Sequence, residues 1–304
     1  MYEEHYGLTA RPFQMTPDPA FLYWSESHKL AFTMLRYSLM NASPLTVITG
    51  DVGTGKTTLV RRLLDEFPGD MQVGLLSNVQ AGRGDLLEWM LMAFEQPFGG
   101  DHVERFQRFE QFAVARYGEG CHLTVIIDEA HNVGVDQLEE LRLLSNINSG
   151  GDMLLQIILV GQPELREMLG RPELRQFAQR ITADFNLSPL GADEVAHYIR
   201  HRLSVAGCED EVFTRSTCEL IARATRGIPR LINILCDLCL VYGYSSESPV
   251  IDDGILRKLM ADMENNGIFR QFSPIGGGPT LVSSSAKTGT KTAKRTQKTV
   301  RDES

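Results

Sequence analysis

The 304-residue chain contains no apolar run approaching the roughly 18 residues that a helix needs to cross a bilayer. Its longest apolar stretch, Met153 to Val160, is interrupted by Gln156 and has the length of a strand. The opening residues, Met1 to Tyr6, carry acids where a secretory signal carries bases, and no hydrophobic segment follows them. Cysteine is scarce: five residues, an odd number with no close-spaced framework, which points to a reducing cytoplasm rather than a disulfide-built fold. Internal repeats are not evident. With 42% hydrophobic residues, the chain has material for one large core and a smaller one.

Positive charge is also short in the body, and the tail is the exception. The net charge is −9, yet the residues from Ser273 to Ser304 carry +4. That segment is Gly, Ser, Thr and Lys with little apolar content, so it is expected to be a disordered basic tail over 270–304. It would either bind nucleic acid or anionic lipid, or simply solubilise.

Residues Gly50-Asp51-Val52-Gly53-Thr54-Gly55-Lys56-Thr57 form a G-x-x-x-x-G-K-[ST] loop between an apolar strand (Leu45, Val47, Ile48) and a helix-forming run. Glycines let the backbone curl so that successive N–H groups face an anion, and the following helix adds its positive end. The loop residues, together with Thr58, are the expected nucleoside triphosphate cradle. Lys56 would reach the β- and γ-phosphates, and Thr57 would place its hydroxyl on Mg²⁺.

A second constellation bears on whether the nucleotide is cut. Leu123 to Ile127 is a β-branched and apolar run suited to a strand buried on both faces of a parallel sheet, and it ends in Asp128-Glu129. Such sheets place their ligands at the carboxyl ends of the strands. Asp128 is the candidate for holding Mg²⁺, and Glu129 the candidate general base for the attacking water.

Strands are expected at Leu45–Thr49, Val73–Ser77, Leu123–Asp128, Leu154–Val160 and Thr182–Leu187, with helices between them. After Pro189 only helical patterns remain: Ala192–Val205, Ser216–Thr225, Arg230–Tyr242 and Asp252–Glu264, with Asp193, Thr214 and Asp252 as opening caps. The expected division is an α/β core with an N-terminal extended segment over 1–189 and a helical lid over 190–269. Three polar residues suit a nucleotide closed between domains and subunits. Gln162, after the fourth strand, could bond the attacking water; Arg230, in the first turn behind Pro229, could reach the γ-phosphate. Arg180 could act across a subunit interface as a finger, with Arg171 and Arg175 as rivals.

These residues carry a resemblance. The chain resembles the AAA+ superfamily of P-loop NTPases, and within it the ATPases of the general secretion pathway protein A family, including those associated with exosortase and exopolysaccharide systems. The resemblance runs from Met1 to about Phe269, through Tyr6-Gly7-Leu8, Pro12-Phe13, Thr16-Pro17-Asp18-Pro19, Phe21-Leu22-Tyr23, Asp128-Glu129-Ala130, Leu141 to Asn146, Leu159 to Leu165 and Gly227 to Asn233. It implies a parallel sheet of order 5-1-4-3-2 with a helical lid, ATP and Mg²⁺ as ligands, a homo-oligomer with nucleotide at the subunit interface, and a cytoplasmic switch serving an envelope export system. The secretion member of the family continues into a membrane helix and a periplasmic module not found here, so a membrane-protein partner is expected, with peripheral attachment to the inner membrane through it. His131 stands where the family usually carries glutamine; it would either face the γ-phosphate or cap the next helix. Transposition target-selection ATPases share the same core, so an ATP-dependent DNA-binding regulator is the alternative function.

Pro12, Pro17 and Pro19 favour extended chain, and Phe13, Phe21, Tyr23 and Trp24 give it large groups to dock. That segment is expected to cross the sheet edge and wall the adenine pocket while packing into the core. Cys236 and Cys239 fall inside an apolar helical run and are expected to be core thiols. His197 and His201, four apart without the H-E-x-x-H pattern, are expected on a solvated face.

Overall fold

A computed structural model describes residues 1–273 apart from positions 17, 67–68, 78, 83, 150–151 and 267–271. The expected tail therefore lies outside the described residues, Phe272 and Ser273 excepted, as does Pro17. The chain runs α1 (Glu26–Met40), β1 (Leu45–Gly50), α2 (Lys56–Asp65), β2 (Met71–Leu76), α3 (Leu86–Ala93), α4 (His102–Gly118), β3 (His122–Ile127) and α5 (Val135–Leu144). A short hairpin, β4 (Asn148–Ser149) with β5 (Asp152–Met153), leads into β6 (Leu155–Gly161), α6 (Glu164–Leu169), α7 (Arg175–Ala178) and β7 (Ile181–Leu187). Helices α8 (Ala192–Val205), α9 (Arg215–Thr225), α10 (Pro229–Ser245) and α11 (Asp253–Asn266) follow.

Five strands pair in parallel in the order β2-β3-β6-β1-β7. Counting only the strands of this sheet, that is the expected 5-1-4-3-2. Strand side chains alternate between faces, and here both faces are apolar. Val47, Val125, Ile127, Ile157 and Leu159 pack against α3, α4 and α5 through Leu87, Met90, Phe109 and Leu141. Their neighbours Ile48, Ile126, Ile158 and Val160 pack against α1 and α2 through Phe32, Leu35, Leu59 and Leu63. The polar interruption at Gln156 is satisfied between the sheet and α1: its carboxamide accepts from Thr124 Oγ1 on β3 at 3.1 Å and donates to the Leu39 carbonyl of α1 at 3.1 Å.

Helices α8 to α11 gather a separate cluster around Val195, Ile199, Ile221, Ile232, Leu235, Leu240 and Leu256. The buried thiols Cys236 and Cys239 belong to it. The N-terminal segment divides between the two parts: Tyr2, Tyr6, Leu8, Phe13 and Phe21 are buried among these helices and Tyr23 packs against them, whereas Trp24 packs on Phe32 in the cluster between the sheet and α1 and α2. Aromatic groups follow available apolar surface, and the helices offer more of it than a strand edge does. Thr214 and Asp252 open α9 and α11 as expected, accepting from the N–H groups of Thr217 and Ile255. Asp193 does not cap α8; Gly191 takes that place and Glu194 reaches back to its N–H. His197 is exposed, but His201 packs on the Tyr23 ring, so the two do not share a solvated face. Among the described residues, no helix is long and apolar enough to cross a membrane.

Candidate nucleotide-binding site

The carboxyl ends of β1, β3 and β6 open into a cleft of about 380 Å³, bounded on its far side by the N-terminal segment, α8 and α10. Its floor is the loop between β1 and α2. Gly53 and Gly55 adopt φ of +83° and +100°, a region that costs a residue with a Cβ about 1–2 kcal/mol. At Gly53 the reason is also spatial, since a Cβ would lie 2.5 Å from that of Arg230. The loop is braced from within: Thr54 donates from its hydroxyl to the Asp51 carbonyl at 2.9 Å. Lys56 is buried, and its ammonium donates to the carbonyls of Gly50 and Asp51 at 2.8 and 3.0 Å. Burial pushes its pKa down, against the carboxylates of Glu129, Asp128 and Asp51, which pull it up. Val52 is exposed at the loop tip, and Thr58 lines the cleft from the first turn of α2.

The strand ends bring the next residues to the loop. The Thr57 hydroxyl donates to Asp128 Oδ2 at 2.9 Å, and the Glu129 N–H donates to Asp128 Oδ1 at 2.9 Å, so both carboxylate oxygens of Asp128 are held. Glu129 has φ of +54°, the left-handed region, which turns it off the strand axis towards the cleft. Its Oε2 is buried, takes no hydrogen bond, and lies 3.4 Å from His131 Nδ1. His131 does not cap α5, which Gly134 and Gln137 open. Instead, His131 accepts at Nδ1 from the Gln162 N–H at 3.3 Å, and its Nε2 lies 2.9 Å from the Gln162 carboxamide. Gln162 thus meets the cleft as part of a Glu129–His131–Gln162 row.

Arg230 comes from the opposite wall. Its N–H donates to the Gly53 carbonyl at 3.2 Å and its side chain packs over that glycine. Arg180 lies outside the cleft: its guanidinium donates to Ser145 Oγ at 2.8 Å, to the Ser145 carbonyl and to Asn146 Oδ1. Arg171 and Arg175, both exposed, do not line the cleft either.

Several cleft residues were missed by sequence reasoning. Arg202 is buried and donates to the Pro12 carbonyl at 2.5 Å, with its guanidinium 4.6 Å from the centre of the Phe21 ring. Burial lowers its pKa, countered by Tyr198 first and then by the Asp18 carboxylate. Tyr198 donates to Asn233 Oδ1 at 2.7 Å beside it. His28, on α1, lies under the loop. No local signal marks Arg202; Asn233 ends the Gly227 to Asn233 run that carries the resemblance but was given no role there, and the signal near His28 is the Ser-x-x-His spacing that makes Ser25 the helix cap.

A model of the AAA domain matches residues 40–169. The chain is 38% identical over 270 residues to general secretion pathway protein A of Aeromonas hydrophila, covering 88% of this chain and 49% of that protein. It is 29% identical over 140 residues to the ATP-dependent target DNA activator B of Escherichia phage Mu, covering 46% of this chain and 43% of that one. The chain therefore spans about half the length of the curated relatives it matches. Among solved structures, the ORC2 protein of Aeropyrum pernix, in its ADPNP–ADP complexes, matches with a TM-score of 0.62 at 18% identity, covering 84% of this chain and 71% of that one. Cdc6p from Pyrobaculum aerophilum matches with a TM-score of 0.62 at 16% identity, over 81% of this chain and 71% of that one. At these identities the likeness to both is one of fold. The sheet order, the phosphate loop and these matches make the chain an AAA-domain protein, related over 88% of its length to general secretion pathway protein A.

Proposed function

We propose that the chain binds and hydrolyses ATP as a switch that helps assemble or energise an envelope export system. The observation that carries the chemistry is the 2.9 Å contact between Thr57 and Asp128 at the foot of the phosphate loop, with the unpaired Oε2 of Glu129 beside it. Lys56 exchanges the Gly50 and Asp51 carbonyls for the β- and γ-phosphate oxygens, and the loop N–H groups from Asp51 to Thr58 take the remaining charge. Thr57 and Asp128 offer hard oxygen donors of the kind Mg²⁺ takes. When bound there, the ion supplies charge neutralisation to the phosphates. Glu129 accepts a proton from the attacking water as its oxygen bonds to the γ-phosphorus. The bond from that phosphorus to the bridging oxygen breaks, and ADP leaves with the electron pair. His131 and Gln162 orient the water and the Glu129 carboxylate.

The helices after Pro189 act as a lid over this core. Arg230, packed on Gly53, reads the nucleotide and couples lid angle to its state. Arg180, outside its own cleft, serves the cleft of a neighbouring copy in a homo-oligomer, and a membrane protein of the export system is the further partner. The export reading rests on the 38% identity to general secretion pathway protein A.

Steady-state phosphate release tests the chemistry: wild type should turn over ATP with Mg²⁺ and Lys56→Ala should not. Equal rates in both would sink the site assignment. For the pathway, loss of the chain from its host should leave an exported protein or polysaccharide inside the cell, and normal export would remove that part. The match to a target DNA activator supports a second reading, an ATP-dependent DNA-binding regulator. Glu129→Gln protein that gains duplex-DNA affinity only with ATP would select it.

A further inference from the structure

His28 is a buried histidine, 3% exposed, that the hydrolysis scheme does not use, and it touches the phosphate loop from below. Its place is set by α1, whose Ala31, Phe32 and Leu35 one and two turns on are locked between the sheet and α2. Ser25 caps that helix by accepting from the His28 N–H at 3.2 Å, and Ser25 Oγ also lies 2.7 Å from His28 Nδ1. On the other side of the ring, Nε2 is 3.1 Å from the Thr54 carbonyl oxygen. A carbonyl only accepts, so Nε2 carries the proton; Nδ1 is then the acceptor for the Ser25 hydroxyl. The imidazole is neutral, and burial holds its pKa below the ordinary histidine value.

The consequence lies in the next peptide unit. In a trans peptide the Thr54 C=O and the Gly55 N–H point in opposite directions. Fixing the carbonyl towards α1 turns the Gly55 N–H away from α1 and into the curl of the loop. Gly55 needs φ of +100° to follow this path, and a Cβ there would stand 3.0 Å from His28 Nε2. The ring therefore occupies the space beneath Gly55 and leaves the loop no room to relax downwards.

From this geometry we propose that His28, oriented by Ser25, is a positioning residue that locks the Thr54–Gly55 peptide so that the loop presents its N–H groups to a polyphosphate before one arrives. The proposal rests on the nucleotide reading above. It deepens that reading by making α1 part of the phosphate site. Without the Nε2 donor, the Thr54 carbonyl loses its partner and the peptide is free to rotate, so part of the binding energy goes into re-forming the cradle.

The test compares binding of a fluorescent ATP analogue and steady-state kinetics in wild type, Lys56→Ala, His28→Leu, His28→Gln and Ser25→Ala, with thermal unfolding of each. Affinity for the analogue should fall roughly 10- to 100-fold in His28→Leu, with KM rising in step and kcat within about threefold of wild type. His28→Gln, whose amide nitrogen can replace Nε2, should regain most of the affinity. Ser25→Ala keeps the ring but loosens it, and should show an intermediate loss of about threefold even if His28→Leu fails to fold. Wild-type affinity in a folded His28→Leu or in Ser25→Ala, or equal losses in His28→Leu and His28→Gln, would overturn the proposal. Absence of binding in wild type, or binding unchanged in Lys56→Ala, would instead defeat the nucleotide reading itself.

Discussion

The two walls of the cleft are built by opposite strategies. On the sheet side, reactive groups sit on consecutive residues: Gly50 to Thr57 in one loop, Asp128 and Glu129 at one strand end, Gln162 just beyond another. On the helical side, the main grips join distant segments, as when Arg202 of α8 donates to the Pro12 carbonyl 190 positions away. The first wall has the groups for chemistry on phosphate; the second has aromatic and buried polar groups suited to gripping the rest of a nucleotide. Chemistry at a phosphate needs its groups within a few ångströms, which a tight loop and adjacent strand ends supply.

The largest effect would come from a third contributor that breaks this two-wall picture. Arg180→Ala should lower phosphate release on the order of 10³-fold at protein concentrations where copies associate, with little effect on nucleotide affinity. Full turnover under those conditions would confine the site to one chain. Next, Glu129→Gln should cut phosphate release by about 100-fold or more while the ATP analogue still binds, because only the sheet wall's proton acceptor is lost. A parallel loss of affinity would mean that the walls are not separable. Arg202→Ala should do the reverse: weaker nucleotide binding and a lower Tm, with kcat largely kept. The Pro12 carbonyl and the Phe21 ring lose their shared partner, a cost of roughly 1–3 kcal/mol. Retained affinity with lost turnover would assign Arg202 to chemistry instead.

A smaller effect sharpens the comparison from outside the cleft. Glu140 on α5 has a buried oxygen that takes no hydrogen bond and lies 3.8 Å from His102 Nδ1, and its pKa is raised to about 7 by burial first and the Asp85 carboxylate second, against the pull of His102. Folding favours the protonated form, so this group's contribution to stability falls as pH rises from about 4.5 to about 7. Thermal unfolding of Glu140→Gln should therefore match wild type near pH 5 and exceed it at pH 8, with nucleotide binding unchanged. An unchanged gap between the two proteins across that range would remove Glu140 as the source.

What could be read in advance follows the same division. All five sheet strands lie within two residues of their expected ends, because runs such as Leu123 to Ile127 have few other ways to bury both faces. The helices after Pro189 are nearly as legible, with α8 at its expected bounds. The N-terminal segment is less so: its aromatics signal docking but not the surface, and Phe13, Phe21 and Tyr23 go to the helical cluster while Trp24 goes to the cluster between the sheet and α1 and α2. His131 is likewise settled by proximity, since its partners Glu129 and Gln162 come from the ends of two different strands.

By itself, then, the sequence determined the elements of local pattern: a phosphate loop whose glycines must curl, strands whose alternation demands helices on both faces, and an acid pair at a strand end. Tertiary structure alone decided which distant groups meet. It placed His28 beneath Gly55 and Arg202 between Pro12 and Phe21, and it left Arg180 outside its own cleft. The reason is physical. Loop curl and strand alternation arise from neighbouring residues, whereas a buried polar side chain takes whichever partner the packed elements bring within hydrogen-bond reach, and no spacing along the chain encodes that distance.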